Sequence, residues 1–162
     1  MLGAKQHDAN TSDVTKRKTS SEKSRLCGKT NQELELKNVV LRAGDHLKIM
    51  GKILPGAKRF QIELGSDSNN MALHFNPRFE TEENVIVCNS KRDGNWGEEQ
   101  RESKNPFHPG SVVKVRVKVA GDFFEVELPN GEEIQFPNRE GTDSISYVRV
   151  KGDFQLTCFK IY

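Results

Sequence analysis

Three polar side chains alternate with apolar ones in the segment ALHFNPRF. A strand periodicity of two places His74, Asn76 and Arg78 on one face, with Leu73 and Phe75 directed into a core on the other. An imidazole, an amide and a guanidinium held side by side can donate to and accept from several hydroxyl groups at once. The pattern therefore predicts a rigid strand that presents a hydrogen-bonding surface to a polar ligand.

The only tryptophan of the chain follows shortly after this strand. Trp96 stands where the turn at Asp93-Gly94 meets the segment WGEEQRE, in which Glu99 and Arg101 share a strand face. A flat aromatic ring at a loop edge, beside amides, arginines and a carboxylate, is typical of a sugar site, because the ring covers the apolar C–H patch of a pyranose. Glu99 is expected to pair with an arginine and fix its orientation.

Each of these residues has an ordinary interpretation when taken alone. His74 would be a structural histidine, Trp96 a hydrophobic lid, and Arg78 with Glu99 a surface ion pair of small value. Their combination in one ordered pattern favours sugar binding over these separate roles.

The elements that must position these residues are strands. From Glu33 to the end, apolar and polar residues alternate, most clearly in SVVKVRVKV, where valines point one way and basic residues the other. Asn130-Gly131 is a strong hairpin signal, and the basic and glutamate-bearing faces of the flanking strands suit antiparallel neighbours. No long stretch holds a helical period. The pattern predicts an all-β fold of two packed antiparallel sheets, each with one solvated face.

The first part of the chain differs in composition from the rest. Residues 1–31 are rich in Ser, Thr, Lys and Asn and nearly lack large apolar side chains, which predicts a disordered tail followed by one domain over residues 32–162. Residues 1–32 carry a net charge of +4 and the remainder −2. A short basic tail supports at most nonspecific, salt-sensitive contact with nucleic acid.

Targeting and redox signals are sparse. The sequence shows no signal peptide and no apolar run long enough to insert into a membrane, so we expect cytosolic synthesis. Three cysteines form no disulfide pattern, which favours reduced thiols. Cys88 is expected to be a buried small hydrophobe, and Cys27 the thiol most open to oxidation or intermolecular pairing. No metal-ligand spacing occurs, and no cofactor is predicted.

Five motifs occur in an order that resembles a known family: HFNPRF, IVCNS, WGEEQRE, PFHPGS and FPNR. Together they are similar to the carbohydrate-recognition domain of galectins, the β-galactoside-binding lectins, over about Glu33 to Tyr162. The resemblance implies a jelly-roll β-sandwich that binds sugar on its concave sheet without catalysis or cofactor. The single domain is most similar to the proto-type members, which form homodimers.

The resemblance also implies a role for each site residue. His74, Asn76 and Arg78 match the residues that bind the axial 4-hydroxyl of galactose. Asn89 and Glu99 match those serving its 6-hydroxyl, and Trp96 matches the residue that stacks on the ring. Arg78, Glu99 and Arg101 match those reaching the second sugar of lactose or N-acetyllactosamine. The connection from Phe79 to Cys88 is shorter than in several galectins, which leaves fine specificity open.

Partners and location follow from the same resemblance. The expected ligands are β-galactoside-containing glycans on glycoproteins or glycolipids, cross-linked by a dimer formed through the terminal strands ELELKN and LTCFKIY. Export to the extracellular space without a signal peptide is also implied. The alternative is a galectin-like module that binds protein, with weak or lost sugar binding.

A glycoside hydrolase is disfavoured by the predicted site. That chemistry needs two carboxyl groups flanking one bond. Glu99 is the one carboxylate expected on the polar face, and nothing in the sequence orients Glu82 and Glu83.

Overall fold

The alternating segments fold as strands, and the described part of the chain contains no helix. The computed structural model describes residues 25–27 and 33–162, with side chains from residue 33 onwards. Its strands are β1 Arg25–Cys27, β2 Leu34–Leu41, β3 His46–Ile53, β4 Phe60–Asp67, β5 Asn70–Glu80, β6 Glu83–Arg92, β7 Asn95–Trp96, β8 Gln100–Glu102, β9 Val112–Val119, β10 Phe123–Glu127, β11 Glu133–Pro137, β12 Ile145–Gly152 and β13 Phe154–Ile161.

These strands form two antiparallel sheets. One has the order β1-β13-β3-β9-β10-β11, and the other has the order β2-β12-β4-β5-β6-β7, with β8 also paired to β6. Consecutive strands such as β2 and β3, or β12 and β13, lie in different sheets, as a jelly-roll sandwich requires. The predicted all-β sandwich is confirmed.

The core lies between the sheets and is built from the apolar half of each alternating pattern. In β9, Val113, Val115 and Val117 are buried, whereas Lys114 is exposed. An aromatic cluster centres on Phe60, whose ring lies 4.7 Å from that of Phe154 and 5.4 Å from that of Phe107, centroid to centroid. This cluster supports the strands that carry the polar site on their other face.

The glutamate and lysine faces meet as predicted. Glu125 of β10 lies opposite Lys118 of β9, and Glu127 lies opposite Arg116. Opposite charges across neighbouring antiparallel strands stabilise that pairing, and the two strands were predicted as neighbours for this reason.

The predicted tail contains one strand that the sequence did not indicate. β1 pairs antiparallel with β13, with Arg25 opposite Lys160 and Cys27 opposite Cys158. The interpretation of residues 1–31 as disordered therefore does not extend to β1. The rest of that segment lies outside the described residues.

Two cysteines with described side chains differ in state. Cys158 is disulfide-bonded, which overturns the expectation of reduced thiols throughout. Cys88 is free and fully buried in β6, and burial raises the pKa of its thiol to about 12. The thiol of Cys88 therefore stays protonated at neutral pH, and the side chain packs in the core as a small hydrophobic residue.

Candidate functional site

Six of the seven predicted site residues line one open cleft of about 400 Å³ on the β4-β5-β6 face. They are His74, Asn76, Arg78, Asn89, Trp96 and Glu99. Arg101 does not line the cleft but lies beside it, and its Nε donates to Glu99 Oε1 at 2.9 Å. Arg59, Gln61, Val87 and Gly97 complete the lining.

Trp96 and His74 form the aromatic wall of this cleft. Their ring centroids are 4.6 Å apart with an interplanar angle of 59°, so the imidazole packs against the indole without lying parallel to it. Trp96 is 50% exposed, in agreement with its predicted place at a loop edge rather than in the core. Lys91 Nζ lies 4.9 Å from the indole centroid. A half-exposed flat ring beside hydrogen-bonding groups suits a ligand with one apolar face.

Asn76 is positioned by backbone and by its neighbour. Its Nδ2 donates to the carbonyl oxygen of Phe60 at 2.8 Å, and its Oδ1 accepts from Arg78 Nε at 2.9 Å. The next residue, Pro77, pairs with Ile86 of β6 beyond the last regular pair between β4 and β5. Proline has no N–H to donate to a ladder, and this one lies where the regular pairing with β4 has already ended.

Two arginines and two glutamates form a cluster at one end of the cleft. Arg78 Nη1 lies 2.5 Å from Glu83 Oε1, and its Nη2 lies 3.9 Å from Glu99 Oε2. Arg101 bridges the same carboxylates, with Nε at 2.9 Å from Glu99 and Nη1 at 3.3 Å from Glu83. Hydrogen bonds from Arg78, the largest influence, lower the pKa of Glu83 below its ordinary value. The cluster fixes both guanidinium planes in space.

The expectation that nothing orients Glu83 is wrong. The sequence placed Glu83 in a connection, whereas the structure starts β6 at this residue, directly across the hairpin from Glu80. Because β5 and β6 pair in register, Glu83 lies within reach of Arg78. A second carboxylate is therefore near the cleft, but it is ion-paired and held ionised, unlike a general acid.

Asn89 is held in place by the backbone of Gly97 and by Arg139 of the FPNR segment. Its Nδ2 donates to the carbonyl of Gly97 at 3.0 Å, and its Oδ1 accepts from Arg139 Nη1 at 3.2 Å. Arg139 also donates to the carbonyl of Glu98 at 2.7 Å and lies over the ring of Phe136. Arg139 thus supports the turn that carries Trp96, a role the sequence motif contained but did not reveal.

Glu63 is the site residue that sequence reasoning missed. It is almost fully buried on β4, where its Oε2 lies 2.7 Å from His74 Nδ1 and its Oε1 accepts from Arg149 Nε, also at 2.7 Å. Gln61 Nε2 donates to it at 3.1 Å. Burial alone would raise the pKa of Glu63, but the hydrogen bonds from His74 and Arg149 outweigh it and lower the pKa to about 2.

Register explains how this group assembles. Glu63 lies opposite His74 of β5, Arg149 of β12 lies opposite Glu63, and His74 in turn lies opposite Asn89. One cross-strand row therefore alternates acceptors and donors over four strands. Glu63 is visible in the sequence as a polar residue of the segment RFQIEL. That signal could have identified its role only once β4 is known to neighbour β5.

An antiparallel jelly-roll with a shallow polar cleft walled by a tryptophan defines a carbohydrate-binding class of protein. The family model of galactoside-binding lectins matches residues 32–161. Galectin-1 of Sus scrofa is 48% identical over 123 residues, covering 75% of this chain and 91% of its own. Galectin-2 of Homo sapiens is 48% identical over 129 residues, covering 80% of this chain and 96% of its own. The chain belongs to the galactoside-binding lectins, the galectins.

Solved structures give the same result. The crystal structure of chicken galectin 2 superposes with a TM-score of 0.77 at 48% identity, covering 79% of this chain and 97% of that one. A homodimeric agglutinin from chicken liver superposes with a TM-score of 0.77 at 40% identity, covering 81% of this chain and all of its own. Galectins are non-catalytic lectins, so membership of this family contradicts the interpretation as a glycoside hydrolase.

The described residues include neither a membrane-spanning helix nor a metal-binding cluster. No helix there is long and apolar enough to cross a membrane. In residues 33–162, no three side chains of the metal-binding types come together in a metal-holding arrangement.

Proposed function

We propose that the cleft binds β-galactosides of the lactose or N-acetyllactosamine type, with the seven residues in the roles that the family resemblance implies. His74, Asn76 and Arg78 serve the axial 4-hydroxyl, while Asn89 and Glu99 serve the 6-hydroxyl. Glu99 also acts with Arg78 and Arg101 on the second sugar. The observation that carries the proposal is the half-exposed Trp96 ring at a cleft whose other walls are fixed hydrogen-bonding groups.

Fixed polar groups allow this site to discriminate between epimeric sugars. Epimeric sugars differ only in the direction of a hydroxyl, so a site that binds one hydroxyl leaves buried groups unpaired with the wrong epimer. Asn76 and Asn89 are both buried and held by backbone carbonyls, so neither can turn to follow a displaced hydroxyl. Solvated hydroxyls contribute little net free energy each, so we expect single-site affinity of about micromolar to millimolar.

Support for the sugar class also comes from a solved relative. A toad ovary galectin in complex with thio-digalactose superposes with a TM-score of 0.77 at 32% identity, covering 82% of this chain. We infer the same ligand class for this chain, because six of the seven residues named above line its cleft and Arg101 pairs with Glu99 beside it.

Calorimetric titration tests the proposal directly. We expect the purified full chain to bind lactose and not sucrose or cellobiose. The Trp96→Ala variant is expected to lose lactose binding, since the ring supplies the apolar contact. Tyr162→Ala serves as the matched control, because Tyr162 is a partly exposed aromatic stacked on His46, outside the cleft.

Two results would contradict the proposal. Full lactose binding by Trp96→Ala would show that the site is misassigned. Absence of heat from the wild-type chain at millimolar lactose, together with a stable protein partner in a pull-down, would favour the alternative of a protein-binding module.

We also propose that the protein cross-links glycans as a homodimer. A relative described as a homodimeric agglutinin supports this. Two weak sites on one dimer bind a multivalent surface far more tightly than one site does. We propose that this cross-linking takes place outside the cell.

The strands available for this dimer differ from the sequence expectation. β2 is an edge strand of its sheet, but β13 pairs with β3 on one side and with β1 on the other. The edge of β13 is therefore covered from Cys158 to Lys160. We accordingly place the dimer contact on β2 and β1 rather than on β13.

A further inference from the structure

We propose that Glu63 is a positioning residue, which holds the hydrogen of His74 on Nδ1 and so makes Nε2 an acceptor toward the cleft, and that Arg149 holds Glu63 in turn. The proposal rests on the sugar-binding function above and specifies the direction of one hydrogen bond in it. None of these roles for Glu63 and Arg149 follows from their positions in the sequence.

The first step concerns the hydrogen between His74 and Glu63. Glu63 is ionised at neutral pH, and an ionised carboxylate has no hydrogen to donate. The 2.7 Å contact between His74 Nδ1 and Glu63 Oε2 must therefore be a hydrogen bond donated by the imidazole. In a neutral imidazole the other nitrogen, Nε2, then carries a lone pair.

The second step concerns where Nε2 points. Nε2 is on the opposite side of the ring from the carboxylate, and His74 lines the cleft. Among the described residues no hydrogen bond to Nε2 occurs, and Nε2 is not a buried orphan atom either. A ligand hydroxyl at this position must donate to His74 while it accepts from the guanidinium of Arg78.

The third step concerns Arg149. Its Nε donates to Glu63 Oε1 at 2.7 Å, so each carboxylate oxygen has its own strong donor. The guanidinium cannot reverse its role, because arginine has donors only. Arg149 thereby prevents the carboxylate from rotating away from His74, and the bound state of the imidazole is prepared before a ligand arrives.

Glu63→Gln separates this role from mere space filling. The amide of the new glutamine has one acceptor oxygen. Because Arg149 has donors only, that oxygen is expected to face Arg149 and the NH₂ group to face His74 Nδ1. The hydrogen of His74 would then move to Nε2. We expect lactose affinity to fall about tenfold, the effect of one hydrogen bond lost at the site.

The double variant Glu63→Gln with Arg149→Met provides the rescue. Without the guanidinium, the amide can turn its oxygen to His74 and restore the hydrogen on Nδ1. We expect most of the lactose affinity to return. A purely structural role for the pair predicts the opposite, since removing a second buried group would weaken the site further. Glu125→Gln on β10 is the matched control and should bind lactose as the wild type does.

The histidine tautomer is read in the free protein by ¹⁵N NMR. We expect the hydrogen on Nδ1 in the wild type, on Nε2 in Glu63→Gln, and on Nδ1 again in the double variant. If the hydrogen is found on Nε2 in the wild type, that result alone overturns the proposal. So would a Glu63→Gln variant that binds lactose within about twofold of the wild type.

A modified sugar tests the same direction from the ligand side. A lactoside whose galactose 4-hydroxyl is replaced by fluorine cannot donate to Nε2. The wild type should therefore bind it more weakly than lactose, and Glu63→Gln should show a smaller difference in affinity between the two sugars. Equal differences in both proteins would count against the proposal. If the wild type binds no lactose at all, the proposed function fails, and the tautomer measurement still decides the role of Glu63.

Discussion

Glu63 is the residue at which burial and charge conflict most strongly. Burial disfavours its carboxylate, but hydrogen bonds from His74 and Arg149 reverse the effect, and the folded pKa of about 2 lies below the ordinary value of 4.5. A lowered folded pKa contributes stability that is fully present above pH 4.5 and is lost as the pH falls toward 2. The whole contribution is about 3 kcal/mol, of which roughly 2 kcal/mol should be gone by pH 3.

Chemical denaturation at several pH values tests this. We expect the free energy of unfolding of the wild type to fall more steeply between pH 5.5 and pH 3 than that of Glu63→Gln, which has no carboxyl to protonate there. The remaining carboxylates titrate in both proteins, so the difference between the two slopes isolates Glu63. Parallel curves would show that the carboxylate is not stabilised in the folded state.

The pairing of β4 with β5 is the element-scale feature on which the site depends. The register shifts at Gly65, which lies between Glu63 and the hairpin that leads to His74. A Cβ atom at Gly65 would lie 2.1 Å from the carbonyl oxygen of Asn70 and 2.7 Å from Met71 Cα. These are backbone atoms of a paired strand, so they cannot move aside as a flexible side chain would.

Gly65→Ala should therefore separate β4 from β5 locally. We expect a loss of about 1–3 kcal/mol in unfolding free energy, the usual cost of overpacking, together with weaker lactose binding, because Glu63 and His74 lie on the separated strands. Thermal denaturation and calorimetric titration measure the two effects. Ser66→Ala, an exposed neighbour on β4, is the control and should change neither. Unchanged stability in Gly65→Ala would mean that the bulge accommodates a methyl group.

At the scale of the whole molecule, the question is which edge meets a second copy. Among the described strands β2 ends its sheet with one edge unpaired, and its apolar residue Val40 is 48% exposed. Edges of this kind pair with other chains unless a charge or a proline blocks them. We therefore expect Val40→Asp to shift the protein from dimer to monomer, with lactose affinity per site unchanged.

Sedimentation velocity over a concentration series checks this. Val112→Asp is the matched control, since Val112 is also an exposed valine but lies on β9, in the other sheet from β2. Equal sedimentation of the two variants, both dimeric, would place the contact elsewhere. A monomeric wild type at all concentrations would exclude the proposed cross-linking by a dimer.

The sequence by itself determined the strands and the polar face. Side chains of a strand alternate with a period of two whatever it pairs with, so the buried valines of β9 and the shared face of His74, Asn76 and Arg78 are local properties. The prediction that Trp96 lies outside the core was also local, because a turn signal precedes it.

Only the tertiary structure decided which strands are neighbours. Glu63 meets His74 and Arg149 because β4 lies between β5 and β12, a pairing that joins residues 86 positions apart. The covering of β13 by β1 is likewise a long-range pairing, from a segment whose composition indicated no strand. Periodicity gives the face of a strand but not its partner, because register and sheet order depend on contacts between distant segments, which no local pattern contains.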